Sequence, residues 1–179
     1  MNVLSIDFDI IMAPDINLYN DMITPTKDHS KTFDKIKTHF PLLDGVRADL
    51  KHYQKIAVFL MSIIDSIDVE DIRISYNHED IKYMLEGLSD VHIFNIDHHH
   101  DLGYINPHGV EAPCDVCNCS NWVRFFIDNG TIESYTWINN SNSAVNINPN
   151  YMDYLNMYDL KTYNLNDLPK IDKIFICLS

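Results

Sequence analysis

Basic residues are scarce in this sequence. Lysine and arginine together number 13, against 26 aspartates and glutamates, which gives a formal net charge of −13. Because contacts to a phosphate backbone need clustered lysine and arginine, this balance argues against a nucleic acid as the partner. A strongly acidic chain is better suited to a cationic substrate.

Long apolar runs and a leader segment are also missing. No stretch of about 18 uninterrupted apolar residues occurs, so no membrane span is predicted. The first residues lack the basic and apolar regions of a secretory signal, and we therefore expect a cytoplasmic protein. Only five glycines and seven prolines occur among 179 residues, 46% of which are hydrophobic. We expect a globular chain that forms one domain over residues 1–179.

Cysteine is limited to four residues, of which Cys114, Cys117 and Cys119 lie close together. A C-x-x-C-x-C pattern is compatible with part of a zinc knuckle, but a structural zinc site normally takes four ligands in two pairs. The fourth cysteine, Cys177, lies in an apolar segment far along the chain. Reduced thiols are the expectation for a cytosolic protein, with a structural zinc as the alternative.

The spacing of apolar residues predicts strands interleaved with helices. Strands are predicted over residues 3–11, 72–76, 91–96, 131–138 and 173–178, and helices over 31–40, 47–66, 78–88, 121–128 and 151–158. Residues 13–30 and 102–120 are predicted to be long loops. Asn77 is the predicted N-cap of the third helix. Such alternation predicts an α/β fold, with three α/β/α layers around a mainly parallel sheet.

One strand ends in an unusual group of polar residues. The apolar run 91–96 is followed directly by Asp97-His98-His99-His100-Asp101. An ionised carboxylate costs several kcal/mol to bury unless it is paired or binds a cation. Carboxylate oxygens and imidazole nitrogens are ligands for Mn, Fe, Co or Zn. The pattern Asp97-x-His99-x-Asp101 therefore predicts a metal site.

Two further segments offer ligands of the same kind. Asp7 and Asp9, two positions apart, are predicted to share one face of the first strand, and His78 follows the second. Because ligands bind beyond the carboxyl ends of parallel strands, six side chains are expected at one edge of the sheet, namely Asp7, Asp9, His78, Asp97, His99 and Asp101. Six ligands suit two divalent ions about 3.5–4 Å apart, which lower the pKa of a shared water, as in many hydrolases.

These residues resemble the ligand set of arginases and other ureohydrolases. The similarity is closest to the small arginase-like group that includes peptide arginases, which convert arginine side chains of peptides to ornithine. It rests on residues 6–9, 77–80, 94–101 and 119–123. In ordinary arginases the Asp-x-Asp strand follows the Asp-x-His-x-Asp strand, whereas here it comes first, so the resemblance implies a compact arginase-like fold with a rearranged strand order. The short chain leaves room for a bulky peptide substrate.

The resemblance implies two manganese ions, with other divalent transition metals as possible substitutes. Asp7 and Asp97 would bridge the ions, His78 and Asp101 would complete one site, and His99 with Asp9 the other. The implied reaction hydrolyses the guanidinium of arginine, in a peptide or a small guanidino compound, to urea and an amine. Asp101 would relay a proton to the leaving nitrogen.

Residues outside the ligand set are expected to complete the active site. His108 is a candidate proton shuttle. A guanidinium stays protonated, so its pocket needs a carboxylate, for which Glu111 and Asp115 are the candidates. Asn121 is a further candidate to line the pocket, with ordinary packing as the alternative.

Two other interpretations stay open at this point. Asp97-His98-His99 also resembles the motif of the Asp-His-His phosphoesterases, although Asp101 and His78 do not match that family and basic residues to bind phosphate are few. A non-catalytic metal-binding protein with a closed coordination shell would carry the same ligands.

Overall fold

The computed structural model describes residues 1–11, 50–103, 114–140, 143 and 145–178. Six parallel strands form one sheet in the order β2-β6-β1-β3-β4-β5. The strands are β1 (Asn2–Asp7), β2 (Ile72–Ser75), β3 (Val91–Ile96), β4 (Ile132–Asn139), β5 (Leu155–Asp159) and β6 (Lys173–Cys177). Within the described ranges the α-helices are α1 (Leu50–Ile63), α2 (Lys82–Leu85) and α3 (Trp122–Asp128).

The predicted α/β fold with a parallel sheet is confirmed. Successive residues of a strand point to opposite faces of the sheet, and they divide here between two apolar clusters. Leu4, Ile96 and Ile174 belong to a cluster that includes Ile56 of α1. Alternating residues of the same strands pack with the apolar side of α3 in the other cluster. Apolar packing therefore covers both faces, while the full three-layer arrangement stays a prediction.

Most predicted elements match the structure. The predicted helix over 47–66 contains α1 and a 3-10 turn at Ile64–Ser66, and the one over 121–128 contains α3. The predicted helix over 78–88 is shorter, a 3-10 turn at His78–Ile81 followed by α2. The side chain of Asn77 caps this turn by accepting a hydrogen bond from the Glu79 amide, as predicted. The helix over 31–40, the loop over 13–30 and residues 104–113 of the second loop lie outside the described residues.

Two sequence predictions are wrong. The first strand ends at Asp7, and Phe8–Ile11 forms a 3-10 turn, so Asp7 and Asp9 do not share one face of a strand. Ile10 is buried in that turn, which explains the strand-like apolar pattern. The predicted helix over 151–158 is instead a 3-10 turn, Pro149–Tyr154, followed by β5 at the edge of the sheet. Pairing with β4 decides the conformation of that segment.

The strand order brings the carboxyl ends of β2, β6, β1 and β3 to one edge of the sheet. β1 pairs with β3 on one side, where Ile6 lies opposite Ile96, and with β6 on the other, where Asp7 lies opposite Cys177. β2 pairs with the outer side of β6. The residues that follow β1, β2 and β3 therefore meet at one edge, as the predicted site requires.

Among the described residues, no helix combines the length and the apolar character needed to cross a membrane.

Candidate metal centre

Four of the predicted ligands converge at the carboxyl edge of the sheet. The Nδ1 atom of His78 lies 3.2 Å from Asp7 Oδ2, 3.3 Å from Asp97 Oδ2 and 3.4 Å from Asp101 Oδ2. All four residues are buried, with exposed fractions of 4% for Asp7, 3% for His78, 0% for Asp97 and 2% for Asp101. One nitrogen therefore faces three carboxylates away from bulk water. We call these four residues the carboxylate cluster.

The imidazole of His78 is fixed from several sides. Its Nε2 atom lies 2.8 Å from the Ser5 hydroxyl oxygen. Its ring stacks on Phe175 at an interplanar angle of 5° and packs against Trp122. Its position at the start of the 3-10 turn after β2 follows from the cap at Asn77. Nδ1 is thereby held toward the three carboxylates.

Charge balance determines the protonation of this histidine. Burial disfavours the imidazolium, but hydrogen bonds to Asp7 and Asp97 and the charges of Asp101 and Asp97 outweigh it and raise the pKa of His78 well above its ordinary value. In the metal-free chain the imidazolium thus supplies the positive charge that the carboxylates need. If Nε2 instead carries the ring proton and donates to Ser5, the lone pair of Nδ1 faces the carboxylates, an arrangement that requires a cation between them.

Asp97 is held at both carboxylate oxygens. Oδ1 accepts a hydrogen bond from the His99 amide at 2.8 Å, and Oδ2 accepts one from Asn95 Nδ2 at 3.1 Å. The carbonyl of Asp97 accepts a hydrogen bond from the Trp137 indole. Burial tends to raise the pKa of Asp97, but the hydrogen bond and charge of His78 lower it overall. Asp97 is therefore a carboxylate in a fixed orientation.

Asp101 is held through both its backbone and its side chain. Its φ of 52° lies in the left-handed region, which aspartate tolerates better than most residues. Its carbonyl accepts a hydrogen bond from the Val123 amide at the start of α3, and its Oδ2 accepts one of 2.7 Å from the Trp122 indole. Burial and the neighbouring charge of Asp97 raise the pKa of Asp101 well above its ordinary value. The helix α3 thus sets the position of this carboxyl group.

His99 lies beside the carboxylate cluster rather than within it. Its side chain is 50% exposed, and its Nδ1 atom lies 3.8 Å from Asp97 Oδ1. His78 and His99 therefore approach different oxygens of the same carboxylate. The side chain of Asp9, the other predicted ligand of the second ion, lies outside what the structure describes.

The two neighbouring histidines of the motif have other contacts. The Nδ1 atom of His98 lies 3.3 Å from Asn140 Oδ1. His100 is buried, its Nδ1 accepts a hydrogen bond from the Leu102 amide, and its carbonyl accepts one from Tyr135. Burial and the charge of His99 lower the pKa of His100 to about 4.

The predicted substrate residues are only partly placed. His108 and Glu111 lie outside the described residues, and Asp115 is exposed on its loop. Asn121 is buried, with its side chain accepting a hydrogen bond from the Asn118 amide and donating one to the Val116 carbonyl. These two bonds brace the loop before α3. The roles of these four residues toward a substrate stay predictions.

Three polar residues near the carboxylate cluster were not predicted. Ser5 and Asn95 lie opposite each other on β1 and β3, two positions before Asp7 and Asp97 and thus on the same face of the sheet. The sequence signal for both is a polar residue inside an otherwise apolar strand, and the structure shows both to be fully buried. Cys177 ends β6 and forms a group with Asp7 and His78 in which the potential ligand atoms lie within 4.8 Å of one another. Its sequence signal is weak because a buried cysteine usually packs as a small apolar residue.

The residues of the cluster fit a divalent metal ion. His78, Asp97 and Asp101 also offer ligand atoms within 4.8 Å of one another. A set of carboxylate oxygens and an imidazole nitrogen suits Mn, Fe, Co or Zn. The hydrogen bonds that Ser5, Asn95 and Trp122 make with His78, Asp97 and Asp101 are of the kind that orient metal ligands.

Cys114, Cys117 and Cys119 contribute to none of the groups of potential metal ligands found among the described residues. None of the four cysteines is disulfide-bonded. Comparison of the chain with protein-family models, curated proteins and solved structures gives no match.

Proposed function

We propose that this chain is a two-metal hydrolase that cleaves the guanidinium group of arginine side chains in a peptide, giving ornithine and urea. The observation that carries the proposal is the approach of one imidazole nitrogen to three buried carboxylates. Burying three carboxylates without positive charge costs several kcal/mol of desolvation free energy, and within the cluster only His78 offsets their charge. A divalent cation bound by Asp7, His78, Asp97 and Asp101 would satisfy all four groups.

The two oxygens of Asp97 support a second ion. Oδ2 faces His78, whereas Oδ1 faces His99, so a bridging carboxylate is compatible with one imidazole on each side. The exposed ring of His99 would place the second ion toward solvent, where a substrate enters. Manganese is the ion that the similarity to ureohydrolases implies.

Metal ions bound here would activate a water and stabilise negative charge that develops on the substrate. The contribution of the chain is to hold the ligands rigidly and to supply protons. Asp101 is the proposed proton donor to the leaving nitrogen, because its carboxyl group is buried beside Asp97 and is held in place by the Trp122 indole. The net charge of −13 favours a cationic guanidinium over a phosphate ester.

The cytoplasm is the proposed location. The four thiols are not disulfide-bonded, as is usual in a reducing compartment. An arginine-containing peptide is the proposed partner, and a small guanidino compound is the alternative substrate.

The test combines metal content with product formation. The purified protein is loaded with manganese, its metal is measured by elemental analysis, and urea release is followed with an arginine-containing peptide and with free arginine. We expect two equivalents of manganese and release of urea from the peptide. Asp97→Asn keeps the shape of the side chain and should abolish both, whereas Asp153→Asn, at an exposed position, should change neither.

Each alternative has its own result. Bound metal without urea from either substrate would refute guanidinium hydrolysis, and phosphate esters would be tested next. Failure to bind manganese, zinc or cobalt in excess would refute the metal centre itself.

A further inference from the structure

The cysteine at the end of β6 adds a different kind of ligand to the carboxylate cluster. Cys177 is fully buried and lies opposite Asp7 on β1 and opposite Ser75 on β2. Its thiol shares a group with Asp7 and His78 in which the potential ligand atoms lie within 4.8 Å of one another. Phe175, two residues earlier on the same face, is the residue on which the His78 ring stacks. Cys177 is therefore on the face of the sheet that carries the cluster.

These separations are compatible with a single shared ion. Zinc binds sulfur at about 2.3 Å and imidazole nitrogen at about 2.0–2.1 Å, and in the tetrahedral arrangement usual for zinc two such donors lie roughly 3.6 Å apart. The ligand atoms of Asp7, His78 and Cys177, which lie within 4.8 Å of one another, would reach this geometry by closing around the ion.

We infer that Cys177 is a thiolate ligand of the ion held by Asp7 and His78, and that this site consequently selects zinc, cobalt or ferrous iron over manganese. Thiolates favour such ions, whereas manganese favours carboxylate and water oxygens. On binding, the thiol releases its proton to solvent and its sulfur forms a bond to the metal. The inference rests on the proposed metal centre and changes which ion that centre holds.

The test uses cobalt, because a cobalt–thiolate bond gives a charge-transfer absorption in the near ultraviolet that oxygen and nitrogen ligands do not. The full chain is stripped with a chelator and reloaded with Co²⁺, and its spectrum is recorded beside those of Cys177→Ser and Cys117→Ser. We expect the band in the parent and in Cys117→Ser, a half-buried thiol outside the cluster. In Cys177→Ser we expect bound cobalt without the band.

A second variant avoids any change in β6. In the triple variant Cys114→Ser/Cys117→Ser/Cys119→Ser, Cys177 is the remaining cysteine of the chain, and the band should persist at full intensity. Competition between metals gives an independent readout. Cys177→Ser should lower the affinity for zinc at least about 10-fold, since even the loss of a residue that only hydrogen-bonds to a metal ligand costs that much. The affinity for manganese should stay nearly unchanged.

The outcomes separate this inference from the proposed function. Cobalt bound by the parent and by the triple variant without a charge-transfer band would overturn the role of Cys177 and leave the metal-dependent hydrolase standing. Absence of any bound cobalt, zinc or manganese would overturn both. Loss of the band in the triple variant would assign the thiolate to another cysteine and overturn the role of Cys177.

Discussion

Replacing His78 by alanine tests whether its imidazole offsets the three buried carboxylates. In the metal-free protein the variant would leave Asp7, Asp97 and Asp101 without the group that their oxygens approach within 3.2–3.4 Å. Removing one member of a buried charged group costs about 3–5 kcal/mol, because the remaining charges stay desolvated. Solvent does not screen these charges appreciably, because all four residues are buried.

This loss translates into a measurable change in melting temperature. For a domain of this size, 1 kcal/mol corresponds to about 2–4 °C, so we expect His78→Ala to melt roughly 6–20 °C below the parent. The measurement is thermal unfolding followed by circular dichroism in the presence of a chelator. The chelator removes any bound metal that would replace the missing charge.

His99→Ala is the matched control for this experiment. This variant also removes an imidazole next to Asp97, but the side chain of His99 is 50% exposed. An exposed ion pair contributes about 0–1 kcal/mol, so the control should melt within a few degrees of the parent. Equal melting temperatures for the two variants would refute the argument that burial of the His78 contacts decides their energetic weight.

Three further predictions concern surrounding residues. Asn95→Leu keeps most of the side-chain volume but removes the amide that donates a hydrogen bond to Asp97. The affinity for manganese, measured by calorimetry, should therefore fall about 10–100-fold. An unchanged affinity would show that this amide does not orient Asp97 for metal binding. Tyr151 donates a hydrogen bond to Asp128, and burial and that carboxylate raise its pKa to about 12 from 10.0. The pKa of Tyr151 is higher in the folded state than in the unfolded state, so the hydrogen bond stabilises the fold fully below about pH 10 and this stabilisation is lost as the pH rises to about 12. In denaturant titrations, the difference in unfolding free energy between the parent and Tyr151→Phe should therefore close over that interval. Burial raises the pKa of Cys117 to about 11 from 9.0, which lowers its thiolate fraction about 100-fold. Cys119 is exposed, so the fastest phase of thiol labelling at mildly alkaline pH should disappear in Cys119→Ser and persist in Cys117→Ser.

The sequence predicts the part of the site in which ligands lie next to a long apolar strand. β3 and the segment from Asp97 to Asp101 are contiguous, so the strand and its polar end are visible together. His78 is predicted for a similar reason, since it directly follows a short strand and a capping asparagine. Local patterns of this kind depend on few contacts from distant parts of the chain.

Other features depend on tertiary contacts that local patterns do not reveal. Ile10 packs in the core from a 3-10 turn, but an apolar residue at this position also fits the pattern of a longer first strand. β5 contains no β-branched residue and is largely exposed, so its extended conformation depends on pairing with β4. The place of Cys177 depends on the insertion of β6 between β1 and β2, a strand order that the apolar pattern of residues 173–178 does not by itself predict.

The position of β6 also has a consequence for the order of events during folding. β6 follows the other five strands in the chain, yet it occupies the gap between β1 and β2, so neither of those strands can complete its pairing until β6 has been synthesised. During translation, Asp7 and His78 emerge long before the strand that aligns them. Contacts across such long separations slow folding and leave strand edges exposed in the meantime. We therefore expect Asp7 and His78 to stay hydrated, where their charge costs little, until β6 pairs with β1 and β2.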